Sequence, residues 1–268
     1  MATPRIVALD MDGTLVESSG SIPEEFWGLL DRALGAGMVV APASGRQLAT
    51  LQHMFERNEP DTFIAENGAV VWHKGEIVSV SPLPGEAVRR VVDALDSAPF
   101  TAHAVVCKPE ISYTAETTPP EVQSEVDKYY LANAHASSLS DALAADPDDT
   151  VKIALFVESD AERDALPWLA EVAPELNVAV SSHHWIDLMA EGVDKGVALN
   201  ALAQQLGVRR EDTAAIGDYL NDYAMLEEAG YAVAMGNAHP DLKAIADEVV
   251  GTNDEHGALC RIERWLEA

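Results

Sequence analysis

The sequence predicts an α/β protein: a parallel, Rossmann-like core sheet with helices on both faces, interrupted by an inserted α+β domain. Three observations carry that reading. Short apolar runs alternate with helical stretches from Ile6 to Ala65. The same texture returns after Met189. Between the two lies a segment in which helical and strand-like runs are mixed without that alternation.

Ile6–Leu9 is apolar and ends at Asp10, the pattern of a strand buried on both sides. Pro23–Leu34 reads as a helix, with proline near its first turn and Gly35 and Gly37 closing it. Met38–Ala41 is a second strand, followed by Ser44-Gly45-Arg46 and a helix to about Phe55. Thr62–Ala65 is a third. Val70–Trp72 and Ile77–Val80 flank His73-Lys74-Gly75-Glu76, which predicts a hairpin. At Pro82-Leu83-Pro84-Gly85 the texture changes, so residues 1–82 and 190–268 are expected to form the core and 83–189 the insert. Within the insert, helices are expected over Glu86–Ser97, Glu121–Asn133 and Asp160–Val172, and strands over Val151–Val157, Val178–Ser182 and Trp185–Met189. Ala134–Asp149 reads as a polar connector. Beyond the insert come a helix (Gly196–Leu206), strands at Thr213–Ile216 and Tyr231–Ala234, and a last helix from Gly257.

Composition excludes several classes of partner. Acidic residues outnumber basic ones 45 to 17, a formal charge of −28, and no basic cluster offsets them. Such a field repels nucleic acid and anionic membranes. No run reaches the roughly 20 apolar residues that span a bilayer, and the N-terminus lacks a long apolar leader, so a cytoplasmic location is expected. Cys107 and Cys260 are far apart and read as idle thiols. The expected partner is a small molecule; monomer and dimer both stay open.

The chemistry gathers at strand ends, where open α/β sheets place their crevice. Asp10-Met11-Asp12-Gly13-Thr14-Leu15 puts two carboxylates between a strand and a glycine turn. One suits nucleophilic attack and the other proton transfer. A calcium loop would need a glutamate where Ser21 stands. Gly217-Asp218-Tyr219-Leu220-Asn221-Asp222 follows another strand and brings Asp218 and Asp222. If the two strands share a sheet, the four acids converge and require a cation, for which an all-oxygen set suits Mg²⁺. Ser44-Gly45-Arg46 offers a hydroxyl and backbone amides where a helix opens, a perch for phosphate or simply a serine cap. Lys195, in Gly192-Val193-Asp194-Lys195-Gly196 at the return from the insert, reads as a solvated surface lysine or, with glycines on both sides, as part of the site.

This ordered set resembles the haloacid dehalogenase-like superfamily, and most closely its Cof-type phosphatase branch with a large α+β cap. Ile64-Ala65-Glu66-Asn67-Gly68-Ala69 and Ala234-Met235-Gly236-Asn237-Ala238 are also similar to recurring phrases of that branch. The resemblance implies a Mg²⁺-dependent phosphatase that hydrolyses a small phosphorylated metabolite, such as a sugar phosphate, through a phospho-aspartate. It implies Asp10 as nucleophile and metal ligand, Asp12 as general acid and base with its carbonyl on the metal, and Asp218 as a further ligand. Ser44, Gly45, Arg46, Lys195 and Asn221 would hold phosphate, with Ser44 and Lys195 acting in catalysis, and Asp222 would shape the surrounding shell. The insert would be the cap that selects the substrate. Three alternatives stay open: a phosphomannomutase-like phosphomutase, a sucrose-phosphate or mannosylglycerate-phosphate phosphatase, and a non-catalytic phosphate-binding module. The scattered cations of the insert lean towards hydrolysis, and His183, His184 and Trp185 are either structural or turned to substrate.

Overall fold

A computed structural model describes residues 3–58, 60–145 and 149–268. Contacts divide the chain into two units: Met1–Gly45, Leu51–Ser79 and Asp194–Ala268 form the first, and Arg46–Thr50 with Val80–Val193 form the second. The expected joints at 82/83 and 189/190 stand a few residues inside these limits.

In chain order the first unit opens with β1 (Ile6–Asp10), α1 (Glu24–Gly35), β2 (Val39–Ala43), α2 (Leu48–Met54, which straddles the division), β3 (Thr62–Ala65), β4 (Val70–His73) and β5 (Glu76–Val80). The second carries α3 (Gly85–Leu95), β6 (Ala102–Cys107), β7 (Ser112–Ala115), α4 (Pro120–Val126), β8 (Asn133–Ala136), α5 (Leu139–Ala145), β9 (Lys152–Val157), α6 (Leu166–Val172), β10 (Leu176–Val180) and β11 (Trp185–Ala190). The chain then returns through α7 (Lys195–Gln205), β12 (Thr213–Gly217), α8 (Tyr223–Glu228), β13 (Ala232–Ala234), α9 (Pro240–Ile245), β14 (Glu248–Val249) and α10 (Gly257–Leu266).

The first unit is built on a sheet of order β14-β13-β12-β1-β2-β3-β4-β5. Its strands run parallel from β14 to β3, and β4 returns antiparallel to β3. Every residue of β1, β3 and β12 is buried, which is why these segments read as unbroken apolar runs. From β1 the strands advance one way to β3, and from β12 the other way to β14. Right-handed crossovers therefore put α1 and α2 on one face and α8 and α9 on the other. The reversal falls between β1 and β12, the switch point at which α/β sheets form a crevice.

Helix α1 shows how the sequence specifies packing. Glu24 and Glu25 complement the dipole at its start and Arg32 at its end. Phe26, Leu29, Leu30 and Ala33 recur at helical spacing and are buried. Phe26 meets Phe55 edge-on at 6.0 Å, Phe55 meets Phe63 at 5.6 Å, and Phe63 meets Trp72 at 5.6 Å.

The second unit has a six-stranded sheet of order β10-β11-β9-β6-β7-β8. Alternate residues of its central strands (Ala104 and Val106, Ile153 and Leu155, Ile186 and Leu188) pack with Val88 and Val91 of α3 and Leu169 of α6. Gln47 and Thr50 join this unit through bonds to the chain at 129–132. Gln47 exchanges two 2.9 Å bonds with the backbone of Ala132. Thr50 donates to Tyr129 O at 2.9 Å and accepts from Leu131 N at 3.1 Å.

Two readings of the insert are corrected. The helix expected to reach Asn133 stops at Val126, and the connector begins as strand β8, parallel to β7, and continues into α5. Asn133-Ala-His-Ala has poor strand propensity, and pairing along β7 overrides it. Strands β6 and β7 were not anticipated. Residues 146–148, expected in the connector, lie outside the described residues.

Phe63 is fully buried at the centre of the aromatic row. Phe63→Ala should therefore lower stability by about 3–5 kcal/mol, read as an earlier denaturant midpoint for the first unit. A midpoint unchanged from wild type would contradict this account of the core.

Candidate active site

Strands β1 and β12 lie side by side in parallel, with Leu9 opposite Ile216. Both end at the same edge, so Asp10, the last residue of β1, and Asp218, just past β12, meet there. Carboxylate oxygens of Asp10, Asp218 and Asp222 all lie within 4.8 Å of one another. Helix α7 starts at the same place. Asp194 caps it by accepting from Val197 N at 2.8 Å, and Lys195 follows as its first residue.

Lys195 is completely buried. Its Nζ donates to Asp10 Oδ1 at 2.6 Å and to Asp222 Oδ1 at 2.7 Å. The other Asp222 oxygen, Oδ2, accepts from the backbone N–H of Asp218 at 3.0 Å and of Tyr219 at 3.3 Å. Both Asp222 oxygens are thus engaged in holding the lysine and the turn. Asp10 Oδ2 is buried and accepts no hydrogen bond among the described residues.

Gly13 permits this closeness. It has φ +84°, and a Cβ there would stand 2.3 Å from Asp218 Oδ2. Around it, Asn237 Nδ2 donates to Gly13 O at 2.8 Å and to Asp218 Oδ2 at 3.3 Å, and Thr14 Oγ1 donates to Asp218 Oδ1 at 3.4 Å. Asn237 is itself steadied by Asn253 N, which donates to its Oδ1 at 3.1 Å. The phrase Met235-Gly236-Asn237 pointed at Asn237 without a role; no sequence signal pointed at Asn253.

The other expected residues fall as follows. Asp12 is exposed in the turn after β1, its backbone bridging to Val16. Ser44 is buried one residue past Ala43, which stands opposite Asp10 across the β1–β2 pair. Its backbone N–H donates to Ile64 O at 2.9 Å and its carbonyl accepts from Asn67 N at 3.0 Å. Gly45 closes this segment of the first unit, whereas Arg46 belongs to the second, its guanidinium 5.8 Å from the Tyr129 ring. Asn221 is exposed in the one-turn helix Leu220–Asp222. His183, His184 and Trp185 have partners in the second unit. His183 stands 3.7 Å from Asp160, His184 Nδ1 lies 2.9 Å from Val157 O, and Trp185 packs 5.3 Å from Phe156.

Charge is unbalanced at this edge. Burial, then the Asp222 charge, pushes Asp10 up to about 8 against the pull of Lys195. Burial and Asp222 likewise raise Asp218 to about 6. Burial opposes the charge of Lys195, but Asp10 and Asp222 outweigh it and hold the ammonium above its ordinary range. Lys195 carries the fixed charge of this cluster, because its Nζ bonds two carboxylate oxygens at 2.6 and 2.7 Å. Three acids then share one ammonium, and the missing positive charge is a proton or a cation. The donor set is all oxygen, and Asp10 Oδ2 and Asp218 are the acids left to face a hard divalent ion.

Residues 7–261 match the model of a family described as haloacid dehalogenase-like hydrolase. The chain is 31% identical to phosphatase YwpJ of Bacillus subtilis, across 98% of this chain and 100% of that relative. It is 28% identical to the 5-amino-6-(5-phospho-D-ribitylamino)uracil phosphatase YcsE of the same organism, across 98% and 96%. A solved haloacid dehalogenase-like hydrolase from B. subtilis superposes with a TM-score of 0.81 at 30% identity, across 97% of this chain and 99% of that one.

The raised carboxylates predict a pH signature. A carboxyl whose folded pKa lies above its ordinary 3.8 contributes stability at low pH that is lost as pH climbs through about 6 and about 8. Lys195, raised from 10.5, keeps its contribution throughout that window. A cation bound by these acids would replace the lost proton, so Mg²⁺ should raise the melting temperature more at about pH 8 than at about pH 5.5. Equal rises at the two pH values would contradict the charge balance.

Proposed function

We infer that this chain, which belongs to the haloacid dehalogenase-like hydrolase family and is a phosphatase, cleaves a small phosphorylated metabolite through a phospho-aspartate on Asp10, with Mg²⁺ as its cofactor. The observation that carries this reading is the asymmetry of Asp10: Lys195 holds Oδ1 at 2.6 Å, and Oδ2, buried, accepts no hydrogen bond among the described residues. One oxygen is anchored and the other is the nucleophile.

In the first step Asp10 Oδ2 attacks phosphorus, the ester P–O bond breaks, and Asp12 gives its proton to the departing alkoxide. In the second, Asp12 takes a proton from water, the hydroxide attacks phosphorus, and the bond to Asp10 breaks to release phosphate. Lys195 stays charged throughout and offsets the negative charge of the phosphoryl oxygens, while its bond to Asp222 keeps it from drifting. The Ser44 hydroxyl and the backbone at Gly45 receive phosphoryl oxygens at the end of β2. Asp10, Asp218 and the Asp12 carbonyl would hold Mg²⁺, which supplies electrostatic stabilisation of the transferring group. Asp222 supports this set from behind.

For the substrate we propose a sugar phosphate or a compound of similar size. YcsE is named for a phosphorylated ribitylaminouracil, a sugar-alcohol phosphate on a heterocycle. The second unit would select the leaving group. Arg90, Lys108, Lys128 and Arg163 of that unit each pair with a carboxylate of the same unit. That favours hydrolysis over a mutase, which would use such cations to grip a second phosphate.

A comparison of leaving groups tests the roles. Asp10→Asn should abolish turnover of every ester. Asp12→Ala should slow enzyme phosphorylation by a sugar phosphate about 10²–10⁴-fold and by an activated aryl phosphate much less. Equal losses on both would remove Asp12 from the acid role, and full activity after exhaustive chelation would remove the metal.

A further inference from the structure

The Glu66–Gly68 turn, which the mechanism leaves idle, is an expensive piece of backbone. Glu66, Asn67 and Gly68 have φ of +51°, +54° and +100° in succession, and the first two are not glycine. Side chains there crowd the backbone, and such strain persists where the surroundings enforce it. Asn67 adds a second cost, because its buried Oδ1 finds no hydrogen-bond partner among the described residues.

Two contacts show what the turn enforces. On one side, Asn67 N donates to Ser44 O at 3.0 Å, and a Cβ at Gly45 would lie 3.0 Å from both amide atoms of Asn67. On the other, a Cβ at Gly68 would stand 2.2 Å from Asp194 O and 3.0 Å from Lys195 N. These are backbone atoms of the first turn of α7, which cannot swing aside as a side chain can. One three-residue turn therefore touches both the segment proposed to receive phosphate and the residue that charges it.

We propose that Asn67 and Gly68 are positioning residues: their turn sets the spacing between Ser44-Gly45 and Lys195 at which a phosphoryl group fits. This rests on the phosphatase reading of the same site. A role in stability alone would have favoured glycine at position 67, where the residue is left-handed and its buried Oδ1 has no hydrogen-bond partner among the described residues.

Asn67→Gly separates the two roles, because it relieves strain while removing the amide packed on Gly45. The variant should melt at or above the wild-type temperature and keep the wild-type Mg²⁺ concentration for half-activation. Its kcat on an aryl phosphate should fall about tenfold or more, since a misplaced group loses rate steeply with distance. Gly68→Ala, which must push Lys195 away, should lose more, about a hundredfold, in whatever fraction remains folded by circular dichroism. A stable Asn67→Gly with wild-type kcat would overturn the positioning role and leave the phosphatase reading standing. A folded, Mg²⁺-loaded wild-type protein that cleaves no phosphate ester would overturn that reading itself.

Discussion

A fully buried lysine between two carboxylates is the constraint on which the first unit is organised. Lys195 and Asp222 are wholly inaccessible and Asp10 is nearly so. Removing such groups from water costs several kcal/mol each unless bonds replace the lost hydration. The lysine meets that requirement with both acids, and Asp222 does so again with two backbone amides. Asp10 does not, because its Oδ2 is buried and accepts no hydrogen bond among the described residues. The unmet half of Asp10 is the feature from which the proposed reaction starts.

Everything that delivers these groups is a property of the sheet. Parallel pairing of β1 with β12 aligns two strand ends, and the reversal of crossover direction between them leaves that edge clear of a crossing helix. Helix α7 arrives with its first residue, and not its middle, at the acids, because Asp194 fixes where it begins. The close approach of the Gly13 turn to Asp218 then admits the surrounding bonds from Asn237 and Thr14. Charge, rather than shape, is the unfinished business of this edge.

Much of this was legible in the sequence because the relevant strands are buried on both faces and end in acids. An apolar run stopping at Asp10 and another stopping before Asp218 state both the fold and where the candidate site lies. Lys195 was legible through its neighbours at the helix start. Asn237 and Asn253 were not, since an asparagine that binds a carbonyl or an amide has no pattern of its own. The division of Ser44-Gly45 from Arg46–Thr50 was equally hidden, because it depends on bonds from Gln47 and Thr50 to residues about eighty positions away. In the second unit, β8 failed as a strand by composition and exists because β7 offers it a partner.

The central claim is that Asp10, and not water, makes the first bond to phosphorus. Single-turnover hydrolysis quenched in acid at successive times, followed by mass analysis of the peptide containing Asp10, tests it directly, because only covalent attack by Asp10 places the phosphoryl group on that residue. Peptide analysis of enzyme quenched in acid during turnover should therefore show the mass of one phosphoryl group on Asp10. Phosphate release at the full single-turnover rate, with no phosphoryl group on Asp10 at any quench time, would contradict the account.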